Sequence, residues 1–403
     1  MRKRLLLLLC GVPLLFAALS GCSGPQVRST SPEDNPEHHY LTGMNALENG
    51  KIAVAQETFE RAVYLDERFS KGYAGLAIVA AEKVKLQGDT GLRQLEADRS
   101  YANLKQADKY AEKADEEFDL YAAKIRVHAL MKGKGWLEDA GDAFKDGAKL
   151  KVDERALTYY QGTEALDFFM GVAYLEGLEF QKARDSFAAV LNAKREGKWH
   201  EKADKGWKKT DRIVRALAGI TVGDVGKKIA VKDAVTRADL TALLIDEMKL
   251  DKLFGGRIPL AADAKRQAEF IPADIASSPF REEILTAMKW KVRGLEPKYD
   301  ETARAYLFLP GDNVSRGEMA LILEDVLIKL TGDEKLASAY FGQDKSPFPD
   351  VRKTSPLYNA VMNMTTRGIM EGELSGEFRP GDSVDGAEAL LAIRVLRQKL
   401  NIY

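Results

Sequence analysis

The sequence predicts an all-α protein: a helical repeat array followed by a three-unit domain in which each unit runs helix, loop, helix. Two observations carry this. Near the C-terminus one segment occurs twice, Phe308-Leu-Pro-Gly-Asp-Asn-Val-Ser-Arg-Gly-Glu318 returning as Phe378-Arg-Pro-Gly-Asp-Ser-Val-Asp-Gly-Ala-Glu388, with a weaker copy at Ile229-Ala-Val-Lys-Asp-Ala-Val-Thr-Arg-Ala-Asp239. Each copy leads into an apolar helical pattern, as expected of one supersecondary unit used three times. Upstream, from about residue 38 to 200, the pattern is helical with few prolines, and small and aromatic residues recur at fixed spacing.

In chain order, Arg2-Lys3-Arg4 followed by the apolar run Leu5 to Leu19 reads as an export signal. It ends in Leu19-Ser20-Gly21-Cys22, which resembles the lipobox of bacterial lipoproteins; an ordinary signal peptide with a chance cysteine is the alternative. The resemblance implies that residues 1–21 are a signal peptide and that Cys22 becomes the acylated first residue. Their removal takes three of the 60 basic residues and none of the 61 acidic ones, moving the formal net charge from −1 to −4. No other stretch approaches the roughly 20 apolar residues of a transmembrane helix, so the expected state is anchored to a membrane, without spanning it. Residues 22–37, rich in Ser, Pro, Asp, Asn and Glu, read as a flexible tether.

In the array (38–200), Gly43, Ala55, Phe59 and Ala62 match Gly171, Ala183, Phe187 and Val190 in order, with twelve residues from glycine to alanine and four from alanine to aromatic in both; Ala140 and Phe144 are a partial third copy. These spacings resemble the tetratricopeptide repeat, in which small residues let two antiparallel helices approach and an aromatic fills the gap. A generic helical bundle is the alternative. The resemblance implies a concave surface that recruits a protein partner and carries no chemistry. The register is lost around Gly88 to Leu95, and Ala107, Ala111 and Ala114 are expected on one stripe of a helix from Tyr101 to Phe118. Tyr159-Tyr160 and Phe168-Phe169 read as packing residues.

The C-terminal region (203–403) divides into units at about 203–250, 270–330 and 346–400. Each has a helix-ending glycine before an aliphatic residue: Gly219-Ile220, Gly294-Leu295 and Gly368-Ile369. Ile271-Pro-Ala-Asp274-Ile and Phe348-Pro-Asp350-Val precede the latter two. This order resembles the S-layer homology (SLH) domain, and unit three is closest to it. The resemblance implies a pseudo-threefold domain that binds cell-wall glycan through the arginine after the helix cap and through neighbouring loops. Carried over, the candidate ligand-binding residues are Thr236, Arg237, Ser315 and Arg316.

Capping chemistry explains part of the same motif. Thr236-x-x-Asp239, Ser315-x-x-Glu318 and Asp385-x-x-Glu388 place an N-cap residue three before an acid, strictly in the second copy and more loosely in the others. Capping does not explain the arginine, since a cation in the first turn opposes the helix dipole. Helix amides plus a guanidinium make an anion site, suited to a carboxylate or an acidic sugar substituent, and a structural salt bridge within the repeat is the alternative role for each arginine. Unit three has Gly386 at that position and should lack such a site.

Charge balance gives no footprint for nucleic acid. The four histidines (His38, His39, His128 and His200) and two cysteines form no metal-ligand set, and no cofactor motif occurs. There is no nucleophile elbow and no recognisable catalytic carboxylate pair, so the protein is expected not to be an enzyme. The expected role is a lipid-anchored envelope protein, at the outer membrane and facing the periplasm. It would bind peptidoglycan or an associated anionic polysaccharide through its SLH-like end and a protein partner through its helical repeats. The alternative is an accessory subunit of an envelope secretion or export machine, with the C-terminal units touching protein.

Overall fold

The computed structural model describes residues 31–193, 196–218, 222–257, 270–343 and 345–401. Cys22 and the Gly219-Ile220 landmark therefore lie outside the described residues. About 63% of the described residues are helical, in 16 helices, and the two short strands among them make only a hairpin, so the described fold is all-α.

The first eight helices form the array: α1 (Pro36–Glu48), α2 (Ile52–Leu65), α3 (Ser70–Leu86), α4 (Thr90–Tyr110), α5 (Ala114–Met131), α6 (Trp136–Gly147), α7 (Ala165–Glu176) and α8 (Phe180–Asn192). Neighbours pack in sequence, α1 on α2, α3 on α4, α5 on α6 and α7 on α8. The spaced small residues are the reason these helices approach so closely. A methyl group at Gly43 would come 2.6 Å from the Phe59 ring, and one at Gly75 of the next pair would meet the same ring. Phe187 is sandwiched likewise between Gly171 and Gly206. Both phenylalanines are almost wholly buried.

The expected helix from Tyr101 to Phe118 is broken. Ala107 is buried in α4, but Ala111 is an extended C-cap and Ala114 opens α5. The acids Asp115, Glu116 and Glu117 favour a new helix start there, and the Glu116 carboxylate accepts from the backbone N–H groups of Glu112 and Lys113. Alanine spacing alone could not show that stop. Tyr159 and Tyr160 are buried packing residues around Trp199, whose indole N–H donates to the Tyr160 carbonyl at 2.7 Å. Phe168 and Phe169 also pack on Trp199.

α9 (His200–Leu217) joins the array to the C-terminal region. Its sequence is mostly polar, yet Ala203, Thr210, Ile213 and Ala216 fall on one buried face. It packs against α8 on one side and against the last helix on the other.

The C-terminal helices are α10 (Asp224–Ala230), α11 (Arg237–Ala242, continued by a π turn at Leu243–Glu247), α12 (Leu250–Arg257), α13 (Arg281–Lys289), α14 (Arg316–Thr331), α15 (Tyr358–Thr366) and α16 (Gly386–Lys399). Between α13 and α14 lies an antiparallel hairpin, β1 (Lys298–Asp300) with β2 (Ala305–Leu307). The helices after the repeated segments, α11, α14 and α16, are each covered by the first helix of the following unit: α13 on α11, α15 on α14, and α9 on α16. The packing therefore closes on itself, around one apolar core that includes Leu240, Leu323 and Leu390.

Candidate functional site

The repeated segments meet at the centre of this ring. The Val235 N–H donates to the Val384 carbonyl, Val314 to Val235, and Val384 to Val314, at 2.8, 2.9 and 3.0 Å. A second turn of bonds lies beside it. The first helical amides, of Arg237, Arg316 and Gly386, donate to the carbonyls of Asp312, Asp382 and Lys232, each from the next unit. An exchange that returns to its start after three steps is a pseudo-threefold arrangement, built from backbone groups that would otherwise be buried without partners.

Thr236 and Ser315 are N-caps. Each side chain accepts from the backbone N–H three residues on, and Asp239 and Glu318 reach back to the cap N–H in return. Both are complete capping boxes, so the first copy is as strict as the second. Asp385 also caps its helix, accepting from the Glu388 N–H at 2.8 Å. The Glu388 carboxylate, however, is turned away to pair with Arg316.

Arg237 and Arg316 are each only 4% exposed, and each guanidinium is engaged within the protein. Arg237 donates through Nε to the Phe308 carbonyl at 2.8 Å, through Nη1 to Gly294 at 2.8 Å and through Nη2 to Glu296 at 3.0 Å. Arg316 donates through Nε to the Phe378 carbonyl at 2.8 Å, through Nη2 to Glu371 at 2.7 Å and through Nη1 to the Glu388 carboxylate. Each guanidinium also lies 4.8 Å from the centroid of the aromatic ring it anchors, Phe308 or Phe378. Burial pushes the Arg237 pKa down, against the nearby carboxylates of Glu318 and Asp312. The anion site expected from helix amides plus a guanidinium is thus filled by the protein's own acceptors. Arg237 and Arg316 lie at different junctions and do not converge on one ligand position.

The acids ahead of the glycine landmarks have a defined task. Asp274 accepts from the N–H groups of Phe308 and Leu309 at 3.1 and 2.7 Å, and Asp350 from Phe378 and Arg379 at 2.9 and 2.6 Å. Burial disfavours the Asp350 charge, but these two backbone donors hold its carboxyl below the usual range. Leu309 and Arg379 sit in the left-handed region, at φ 58° and 56°, which the clamp on their amides helps impose. Gly368, at φ 62°, directly follows the C-cap of α15 and ends it as expected, but α13 is stopped earlier than expected, by Lys291 at φ 50°, and Gly294, at φ 90°, lies in the loop beyond.

A groove of about 180 Å³ opens at the junction of units two and three with α9. It is lined by Arg316, Gly372 and the acids Glu371, Glu373 and Glu388, with Arg212 and Arg215 contributed by α9. Arg212 pairs with Asp385 at 3.0 Å and Arg215 with Asp211 at 3.0 Å, and the Arg215 side chain is half exposed. Sequence reasoning missed Arg212 and Arg215. They lie outside the repeated segment, and only the closure of α9 on α16 brings them to it. Among the described residues no group of His, Cys, Asp and Glu could hold a metal ion, and no helix is long and apolar enough to cross a membrane.

Comparison with known proteins gives one match: the family model described as the S-layer homology domain covers residues 347–390. No curated protein and no solved structure matches the chain. The matched stretch runs from Phe348, through the Asp350 clamp and the Phe378 anchor, into the first turn of α16, and the chain therefore carries an S-layer homology domain at residues 347–390.

Proposed function

We propose that this protein is a lipid-anchored component of the cell envelope that binds peptidoglycan or an associated anionic polysaccharide through its C-terminal ring and a protein partner through its helical array. The observation that carries the reading is the SLH match inside a ring whose three junctions close on one another. Lipidation at Cys22, an outer-membrane location and the tetratricopeptide character of the array are parts of the same proposal, supported by the lipobox-like segment and by the glycine–phenylalanine contacts. The role assigned to Thr236, Arg237, Ser315 and Arg316 is to hold the loops that shape the wall-binding surface. The groove beside Arg316, with Arg212 and Arg215 at its edge, supplies the cations for an acidic sugar substituent.

Cosedimentation of the chain from Ser23 onward with isolated sacculi tests the glycan reading, and binding is expected. If folded protein stays in the supernatant, that reading falls and the accessory-subunit reading, with the ring used for protein contact, takes its place. Given binding, Arg212→Glu with Arg215→Glu should weaken it while the circular dichroism spectrum stays unchanged; undiminished binding would remove the groove from the proposal. Incubation with peptidoglycan should release no muropeptides. Mass spectrometry of the membrane fraction should find acyl chains on Cys22 and none in Cys22→Ser.

A further inference from the structure

One loop of the ring is longer in unit two than in unit three: from Gly294 to Phe308 it runs 14 positions, from Gly368 to Phe378 only 10. The added length carries the β1–β2 hairpin, which unit three lacks. Both loops are held alike by a buried arginine. Arg237 reaches the carbonyls of Gly294, Glu296 and Phe308, and Arg316 those of Glu371 and Phe378. In unit three this loop lines the groove through Glu371, Gly372 and Glu373. The hairpin therefore stands, at another junction of the ring, in the place equivalent to a wall of the groove.

One face of the hairpin is aromatic. Tyr299 and Tyr306 are paired across the strands with ring centroids 5.2 Å apart, and Phe270, from the segment ahead of α13, lies 5.7 Å from Tyr306. All three rings are exposed, the tyrosines by about half. Cross-strand pairing helps to hold so short a hairpin, yet it calls neither for Phe270 nor for rings left in water, and contiguous exposed apolar surface marks a binding site. Two features of the face, with its place in the ring, choose the occupant. The rings are tilted, at 65° and 49° to their neighbours, so they form an angled trough with no parallel pair for a flat ligand to lie across. The charges of the hairpin balance, Lys298 and Arg304 against Asp300 and Glu301, so nothing draws nucleic acid or an anionic bilayer. A chain of pyranose sugars suits both features: its ring faces carry C–H bonds that pack on aromatic faces, and its sugars turn from one to the next as these rings do. We infer that the hairpin face binds an uncharged stretch of glycan backbone, with Tyr299, Tyr306 and Phe270 stacking on successive sugars, as a contact separate from the groove that takes the acidic substituent. The inference rests on the reading of the ring as the wall-binding half, and it names the part of the glycan that the hairpin recognises.

The test uses the chain from Ser23 to its C-terminus, which contains every residue of the described structure. The probe is chitohexaose, an uncharged β-linked oligosaccharide of N-acetylglucosamine, and the readout is saturation-transfer NMR from protein to sugar. Transfer to the C–H protons of the sugar rings is expected. Tyr299→Thr with Tyr306→Thr keeps a β-branched cross-strand pair, and so the hairpin, and should lose most of the transfer. Phe270→Ala, outside the hairpin, should lower it severalfold. Tyr299→Phe with Tyr306→Phe keeps the rings and should retain it. Arg212→Glu with Arg215→Glu should leave it unchanged, as should salt raised to about 0.5 M, because no charge is involved. Sacculus binding by the threonine pair should fall severalfold. No transfer from folded wild type, undiminished transfer in the threonine pair, or loss of transfer in the phenylalanine pair would each overturn the inference. Wild type that sediments with sacculi yet shows no transfer would keep the wall-binding reading and remove this one; transfer without sedimentation would do the reverse. Where transfer is absent, dimerisation or vesicle binding that the threonine pair abolishes would assign the face to a second copy of the chain or to lipid.

Discussion

The two halves of this molecule are held together by different means. In the array, Phe59 and Phe187 each fill a gap that two glycines leave, and contact is apolar and close. In the ring, the junctions are made by directional polar contacts: three valine amides, three first-turn amides and two buried arginines. The ring is also uneven. Two junctions are spoked by a guanidinium that reaches the carbonyl of Phe308 or Phe378. At the third, Gly386 takes the arginine's place because the backbone of Ile229 occupies the space: a Cβ on Gly386 would lie 2.7 Å from the Ile229 carbonyl carbon and closer still to its oxygen. The loop that is held at arm's length twice is in direct contact the third time. Ile229 can come so close because it belongs to a helix, α10, whereas Phe308 and Phe378 lie in extended loops clamped by Asp274 and Asp350.

The most damaging single change should therefore be the smallest one. Gly386→Ala places a methyl group against the backbone of Ile229 and Ala230, and a loss of about 4 kcal/mol or more is expected, the range reserved for named structural faults. Urea unfolding followed by tryptophan fluorescence measures it; a midpoint equal to wild type would show that the third junction is not closed in this way. Arg316→Ala comes next, at about 3 kcal/mol near neutral pH, because it leaves the largely buried Glu388 carboxylate without its paired cation, Arg212 being the more distant one left. Burial already raises the Glu388 pKa despite Arg316. Without Arg316 it should rise further, so the variant's deficit should shrink as pH falls and Glu388 protonates. Arg237→Ala strands only three carbonyls, should cost about 2 kcal/mol, and should show no such pH dependence. Identical pH profiles for the two variants would remove the distinction between the junctions.

Much of this ring is legible in the repeated segment. The caps, the helix starts, the glycine stop at Gly368 and the threefold count follow from local spacing, which the chain obeys because each is a short-range backbone requirement; the stop of α13 does not, since Lys291 and not Gly294 takes the left-handed position there. Glycine at 386 is visible too, but its reason is not. In sequence it reads as a lost arginine, and only the approach of Ile229, 157 positions away in the chain, makes it a requirement. The setting of the arginines is hidden for the same reason. First-turn amides invite an anion when viewed alone, and nothing local shows that carbonyls of Asp312 and Asp382 arrive to satisfy them. The array is legible in its glycines and phenylalanines. The face made by Phe270, Tyr299 and Tyr306 is not, since only the pairing of β1 with β2 and the return of the segment ahead of α13 bring these rings together.

The array carries its own buried charge, and this distinguishes it from the ring in a measurable way. Asp119 on α5 is 3% exposed and accepts from the Tyr40 hydroxyl of α1. Lys71 of α3 faces it, held also by Glu37 and by Asp115 at 3.2 and 2.9 Å. Burial raises the Asp119 pKa to about 7, against the opposing pull of Lys71 and the Tyr40 hydroxyl. An acid whose folded pKa is raised contributes its stability below the unfolded value, near 4, and loses it as pH climbs toward 7. Wild type should accordingly lose roughly 2–3 kcal/mol from this group between pH 5 and 8. Asp119→Asn should flatten that part of the profile, gaining on wild type as pH rises. A parallel pair of profiles would mean that Asp119 stays charged throughout.

The smallest effects come from the glycines of the array, and here the sign carries the argument. Replacing an interior helical glycine by alanine ordinarily stabilises a protein by about 0.5–1 kcal/mol, because the unfolded chain loses freedom. A Cβ added at Gly141 in α6 would have no atom within 4 Å, so Gly141→Ala should show that gain in full. Gly75 in α3 meets the Phe59 ring, with Cζ 2.5 Å from where a Cβ would stand. Phe59 cannot swing aside, since Gly43 closes on its other face at 2.6 Å. Gly75→Ala should therefore cost about 1–2 kcal/mol, overpacking outweighing the entropic gain. Opposite shifts of the thermal midpoint for these two substitutions would establish that close helix approach around Phe59, and not helix propensity, decides where glycine is needed in the array. Shifts of the same sign would show that the Phe59 ring has room to move, and that the glycines at 43 and 75 are dispensable.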